Sequence, residues 1–213
     1  EKDKATVGLA IMNMYLHNND LAEIKQGNTI ASPQYKDNDT TLTTFDFVVA
    51  NPPFSDKEWS MGITPSEDSF SRFALGVPPE KNGDYAYLLH LLKSMKQTGK
   101  GAIILPHGVL FRGNAEADIR KALIEKRWIK GIISLPSNLF YGTGIPACII
   151  VLDKADAETR QGIFMIDASK DFIKDGNKNR LRECDIKKIV DTFNNMKEIP
   201  KYSRFVPISE ISE

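Results

Sequence analysis

Asn51, Pro52, Pro53 and Phe54 are four consecutive residues whose types suit a reactive loop. They follow Phe45-Asp46-Phe47-Val48-Val49-Ala50, an aromatic and β-branched run that reads as a short buried strand. Proline fixes φ at about −65° and carries no backbone N–H. Asn51 precedes a proline and is therefore held extended. The loop then offers two acceptors, Asn51 Oδ1 and the Pro52 carbonyl, with no competing donor at 52 or 53. Phe54 adds a flat apolar face. Two acceptors that take both hydrogens of one NH₂ group suit methyl transfer to an exocyclic amine. The lone pair of adenine N6 is delocalised into the ring, and hydrogen bonds to both hydrogens draw the nitrogen toward a tetrahedral geometry. The amine can then attack the methyl group of S-adenosylmethionine with neither a metal nor a covalent intermediate. Catalysis of this kind is positioning plus electrostatic support of developing charge. A base in a duplex must first leave the stack, which costs about a few kcal/mol. Stacking on Phe54 returns roughly 1–3 kcal/mol.

The same tetrapeptide can also be a plain turn after a strand. Its place behind an Asp-containing apolar strand favours the chemical reading. Other residues weigh less. His17, His90 and His107 lack metal-ligand spacing, so no metal is expected. His90 falls on a helix and reads as structural. His107 and Arg112 fall on a strand-end loop, where they can face DNA or the cofactor. Gly142-Thr143-Gly144 lacks the Lys-Ser/Thr ending of a phosphate loop and precedes a strand, not a helix. The basic residues from Lys170 to Arg182 read as a solvated face.

A loop of this kind needs a strand beneath it and helices around that strand. Ala5, Leu9, Met12 and Leu16 have helical spacing and predict an amphipathic helix over 4–18. Residues 23–26 read as a short strand closed by Gly27, and residues 28–44 are polar and turn-rich. Residues 55–83 form a long irregular stretch with three glycines and three prolines among Gly62, Pro65, Gly76, Pro78, Pro79 and Gly83. Connections of that length are uncommon unless functional. Asp84 is expected to cap a helix that ends at Gly99, and Asn114 to cap one that reaches Lys126. Residues 102–105, 129–135 and 145–152 read as buried strands, 163–166 as an added strand and 185–196 as a final helix. The alternation predicts an α/β fold: a parallel or mixed sheet with helices on both faces. Ligands bind such sheets outside the carboxyl ends of the strands.

Composition excludes other classes. The 213 residues are 41% hydrophobic and 26% charged, which argues against disorder and against a disulfide scaffold. The longest apolar run, Ile145 to Leu152, is of strand length, so no membrane span is expected. Cys148 sits in that run as a core residue, and two cysteines make no framework, so a reducing, cytoplasmic compartment is expected. Lys plus Arg and Asp plus Glu number 28 each, a net charge of zero. A protein that grips nucleic acid unaided is usually basic, so DNA contact is expected to be local or shared with a partner. The chain begins with Glu1, not Met, and is expected to be a piece of a longer protein.

Phe45 to Phe54 resembles motif IV of the amino-group DNA methyltransferases. Gly83-Asp84-Tyr85-Ala86-Tyr87-Leu88-Leu89-His90, Leu105-Pro106-His107-Gly108-Val109-Leu110-Phe111-Arg112-Gly113 and Leu135 to Pro146 resemble segments of the modification subunit of type I restriction enzymes. The resemblance spans roughly residues 1–170. It implies a Rossmann-like class I methyltransferase sheet, here partial, with its N-terminal strands and Gly-rich cofactor loop missing. It implies an S-adenosylmethionine-dependent adenine-N6 methyltransferase that acts on DNA beside a specificity subunit and a restriction subunit. Glu1 would take the place of the acidic residue that bonds both ribose hydroxyls of the cofactor. Asn28 would take the place of an Asp that accepts from the cofactor's adenine amine, and Asn51 borders the same pocket. Residues 1–153 are expected to be the partial methyltransferase domain and 154–213 a C-terminal extension of it. The rival readings are a methyltransferase for another amine or amide, such as a protein glutamine, and a non-catalytic scaffold that docks the other subunits.

Overall fold

The computed structural model describes residues 1–211. Helix α1 spans Lys4–Leu16, capped by Asp3, whose carboxylate accepts from Thr6 N at 2.8 Å. A small hairpin follows, β1 (Lys36–Asn38) and β2 (Thr41–Leu42), and then β3 (Phe45–Ala50). Helix α2 (Asp84–Lys93) leads into β4 (Met95–Pro106), and α3 (Ala115–Glu125) into β5 (Ile129–Ser134). The chain continues through β6 (Ala147–Asp153), β7 (Gly162–Asp167), the hairpin β8 (Ile173–Asp175) and β9 (Lys178–Arg180), α4 (Glu183–Asn194) and β10 (Ser203–Pro207).

The main sheet has six strands in the order β10-β7-β5-β6-β4-β3. It is mixed: β3 runs parallel to β4 and β5 to β7, whereas β6 is antiparallel to both of its neighbours. Strands β3, β4, β5 and β7 therefore all end at one edge, and the loops after β3, β4 and β5 gather there. Alternation along β6 divides the core between the two faces. Cys148, Ile150 and Leu152 join α2 and α3 on one face, and Ile149 and Val151 meet α4 residues such as Ile189 on the other. This is the expected mixed sheet with helices on both faces.

Several local expectations change. The strand at 45–50 is present, but among the described residues it is an edge strand paired with β4 alone. Val48 and Ala50 face the core, whereas Phe47 and Val49 are 77% and 79% exposed. A fully buried strand needs cover on both faces, and the described residues supply it on one. Helix α1 stands where its spacing predicts, but none of its residues is buried. Residues 23–26 form no strand. They lie beside the first residues instead, with Gly27 N donating to the Glu1 carbonyl at 2.8 Å. Helix α2 ends at Ser94, before Gly99. Gly99 lies in a wide bulge of β4, where Phe45 pairs with Met95 and Phe47 with Lys100. A Cβ at Gly99 would stand 3.0 Å from the Lys96 backbone and 3.1 Å from the Phe45 carbonyl, so close approach of chains accounts for this glycine. Asp84 is the first residue inside α2, and Gly83 holds the cap position. Asn114 holds the cap position of α3 as expected, with φ at 55°, but its side chain makes no capping bond.

Candidate active site

Strand β3 delivers Asn51 to the sheet edge where β4, β5 and β7 also end. Asn51 is exposed, and neither its amide nor the Pro52 carbonyl is held by another protein group among the described residues. Both acceptors of the loop are thus free for an outside NH₂ group. Phe54 is half-buried and meets Phe140 edge-to-face, with ring centroids 5.5 Å apart and planes at 78°. Aromatic pairs prefer this arrangement. Phe140 comes from the loop after β5, so the edge supplies two ring walls beside the acceptors. Tyr141 next to it is 92% exposed.

The loop that carries Phe140 is held by the β8–β9 hairpin. Asn138 Nδ2 donates to the Asn177 carbonyl at 2.8 Å, Asn179 N to the Asn138 carbonyl at 2.9 Å and Asn179 Nδ2 to the Ser137 carbonyl at 2.7 Å. Lys178 Nζ donates to the Phe140 carbonyl and lies 4.1 Å from the Tyr141 ring centre. Part of the basic stretch read as a solvated face therefore supports the Phe140 loop. Sequence reasoning gave Phe140, Lys178 and Asn179 no role. Each is an ordinary residue until the fold brings its partner close.

Beside the loop lies a cleft of about 300 Å³ lined by Glu1, Asn28, Thr29, Pro53, Asp56 and Tyr87, among others. A second hollow of about 350 Å³ shares Glu1, Gly27, Thr29 and Tyr87 with it and adds Val48, Ala50 and His90. The cofactor residues read from the sequence, Glu1 and Asn28, therefore share one cleft with Pro53 of the reactive loop. Asn51 does not line either hollow. Glu1 Oε1 accepts from Asp3 N at 2.9 Å, and its other oxygen has no such partner among the described residues. Asn28 Oδ1 accepts from Ile30 N and Ala31 N, each at 3.0 Å. That oxygen serves the turn with both of its lone pairs, so Asn28 offers its Nδ2 donor to a ligand.

The long segment 55–83 is pinned to this site. Asp56 accepts from the Tyr87 hydroxyl at 2.9 Å, and Gly83 N donates to the Asp56 carbonyl at 2.9 Å. Burial, helped by Asp56, pushes the Tyr87 hydroxyl well above its ordinary range. Buried Arg72 pairs with Asp68 at 2.7 Å and donates to the Ile30 carbonyl at 2.8 Å and to His90 Nδ1 at 3.3 Å. Burial, with Arg72 beside it, pulls His90 down to about 4, so this histidine is a neutral structural acceptor. Burial pushes the Cys148 thiol up to about 12, which suits a core residue. His107 Nε2 lies 3.0 Å from Ser134 Oγ, which ties the turn after β4 to the end of β5. Arg112 faces inward to Asp84 and Glu116, not outward to a phosphate.

The model of the family described as N-6 DNA Methylase matches residues 1–213. The chain belongs to that family. It is 36% identical over 220 residues to the type I restriction enzyme MpnII methylase subunit of Mycoplasma pneumoniae, an alignment that covers 100% of this chain and 40% of the relative. The crystal structure of the type I restriction-modification methyltransferase subunit from Streptococcus thermophilus superposes with a TM-score of 0.84 at 35% identity, over 98% of this chain and 44% of that one. The EcoKI M protein shares the fold, with a TM-score of 0.70 at 23% identity. The chain spans less than half the length of these proteins, and its sheet is part of a class I methyltransferase fold. No helix among its described residues is long and apolar enough to cross a membrane.

Proposed function

We propose that the chain is the catalytic portion of a cytoplasmic adenine-N6 DNA methyltransferase. In this reading it serves as the modification subunit of a type I restriction-modification system, beside a specificity subunit and a restriction subunit. The observation that carries the reading is the pair of free acceptors at Asn51 and Pro52 beside the Phe54–Phe140 corner. Membership of the family and the likeness to type I methylase subunits support the choice of DNA as substrate.

S-adenosylmethionine, when bound, supplies an electrophilic methyl group. The cleft residues fit its polar half: the open Glu1 oxygen suits ribose hydroxyls, and Asn28 Nδ2 suits an acceptor nitrogen of its adenine ring. Phe54 and Phe140 would hold the extruded target base. Asn51 Oδ1 and the Pro52 carbonyl would accept the two amine hydrogens and return the lone pair to nitrogen. As positive charge grows on that nitrogen, both acceptors bind it more strongly, which is transition-state stabilisation. The prolines keep donors away and the loop stiff.

The test is methyl transfer by the full-length enzyme with its specificity partner, scored on adenine N6 of a cognate duplex and on a glutamine peptide. Transfer to adenine is expected. Asn51→Ala should abolish it while shifting stability by no more than about 0.5 kcal/mol, because the side chain is exposed and unpartnered. Near-normal turnover by that variant would refute the mechanism.

A further inference from the structure

Asp84 is a carboxylate with no exposed surface. Burial of an ion costs several kcal/mol unless it is paired and hydrogen-bonded. Its two oxygens are taken by two different parts of the chain. Oδ1 accepts from Ser55 N at 2.8 Å, and Oδ2 from Arg112 Nη2 at 2.6 Å. Ser55 directly follows Phe54, and its φ is 52°. A residue with a Cβ adopts that left-handed conformation at a cost and keeps it only where its surroundings impose it. Arg112 lies in the turn after β4 and also binds buried Glu116 of α3 through Nε. Its guanidinium is held above its ordinary range: burial lowers it, but the bonds to Glu116 and Asp84 outweigh burial. One buried ion therefore ties the reactive loop to α2, to the turn after β4 and, through Arg112, to α3.

We infer that Asp84 is a positioning residue for methyl transfer. It fixes the backbone of Asn51–Phe54 through the Ser55 N–H, with Arg112 as its counter-charge. The inference rests on the functional reading above, but it concerns the loop's conformation and can fail separately. Ser55 is the link, since its N–H is the one group of the loop segment that Asp84 holds.

The experiment uses the full-length enzyme with its specificity partner. Ser55→Pro removes the N–H and forbids a positive φ, yet leaves the Asp84–Arg112–Glu116 cluster in place. It is expected to lower kcat roughly ten- to a hundred-fold, the scale of a misplaced catalytic group, with KM for S-adenosylmethionine changed by less than about three-fold. Asp84→Ala, which removes the acceptor altogether, should do the same. Ser55→Gly added to Asp84→Ala should return roughly five-fold of kcat, because glycine takes the left-handed conformation freely. Hydrogen exchange over residues 51–58 reads the loop without turnover, and Asp84→Ala should speed exchange at Ser55. Unchanged kcat in Ser55→Pro, or unchanged exchange in Asp84→Ala, overturns the positioning role. Absence of transfer to adenine by the unaltered enzyme would instead sink the functional reading, and the exchange measurement would still decide the role of Asp84.

Discussion

At the scale of single residues, the site is a balance between groups left free and groups already taken. Asn51 is free, and Phe54 is partly taken by Phe140. Phe54→Ala should weaken base capture by roughly 1–3 kcal/mol, the value of one base–aromatic stack, and Phe54→Trp should keep much of it. Fluorescence of 2-aminopurine at the target position measures the capture, and an unchanged signal in Phe54→Ala would refute the stacking role. His90 makes a second prediction. It titrates near 6.5 in the unfolded chain but at about 4 in the fold, because of burial and Arg72. Between those values the unfolded state binds more protons, so stability should fall as pH drops from about 6.5 to about 4, by at most roughly 3 kcal/mol. Above pH 6.5 the effect is absent. Thermal melting across this range checks it, and His90→Gln should flatten the dependence.

At the scale of elements, strands and helices meet where small residues let them. Gly131 of β5 lies under α4, and a Cβ there would run into the Phe193 ring and stand 2.8 Å from the Phe164 carbonyl. Gly131→Ala should therefore lift α4 from the sheet and cost about 1–3 kcal/mol, the price of overpacking a core. A melting temperature equal to the parent's would contradict that packing. The sequence pattern marks most of these elements correctly. The apolar runs of β6 and β7 are continuous because both sheet faces are covered. It fails where pairing decides. The helical spacing of α2 runs on through Met95, yet the chain leaves the helix at Ser94 to pair Met95 with Phe45. Asp84 reads as a cap from its position alone, whereas the fold draws its carboxylate to Arg112 and Ser55.

At the scale of the whole molecule, charge and surface bear on partners. Equal numbers of acidic and basic residues, 28 of each, give little long-range attraction to a polyanion. Phosphate neutralisation supplies most non-specific affinity for DNA. On the proposed reading, binding by the subunit alone should be weak and independent of sequence, and tight, selective binding should appear with a specificity partner. Titrations at physiological salt on cognate and scrambled duplexes test this, and nanomolar selective binding by the subunit alone would overturn it. Among the described residues β3 has no strand partner on its outer side, and its Phe47 and Val49 are exposed. Unpaired strand edges of this kind invite a further strand.

The sequence by itself determined the class of fold and five of the six strands of the main sheet, and it singled out the Asn51–Phe54 loop as the candidate site. Prolines, β-branched runs and a terminal aromatic act on the backbone within a few residues, so their consequences can be read locally. The tertiary structure alone decided that β3 is an edge and that Asn28 Oδ1 is consumed by its own turn. It alone set Phe140 against Phe54, and Asp84 beneath Ser55. Each of these depends on residues distant in the chain, and on long-range pairing and burial that no short window of sequence contains.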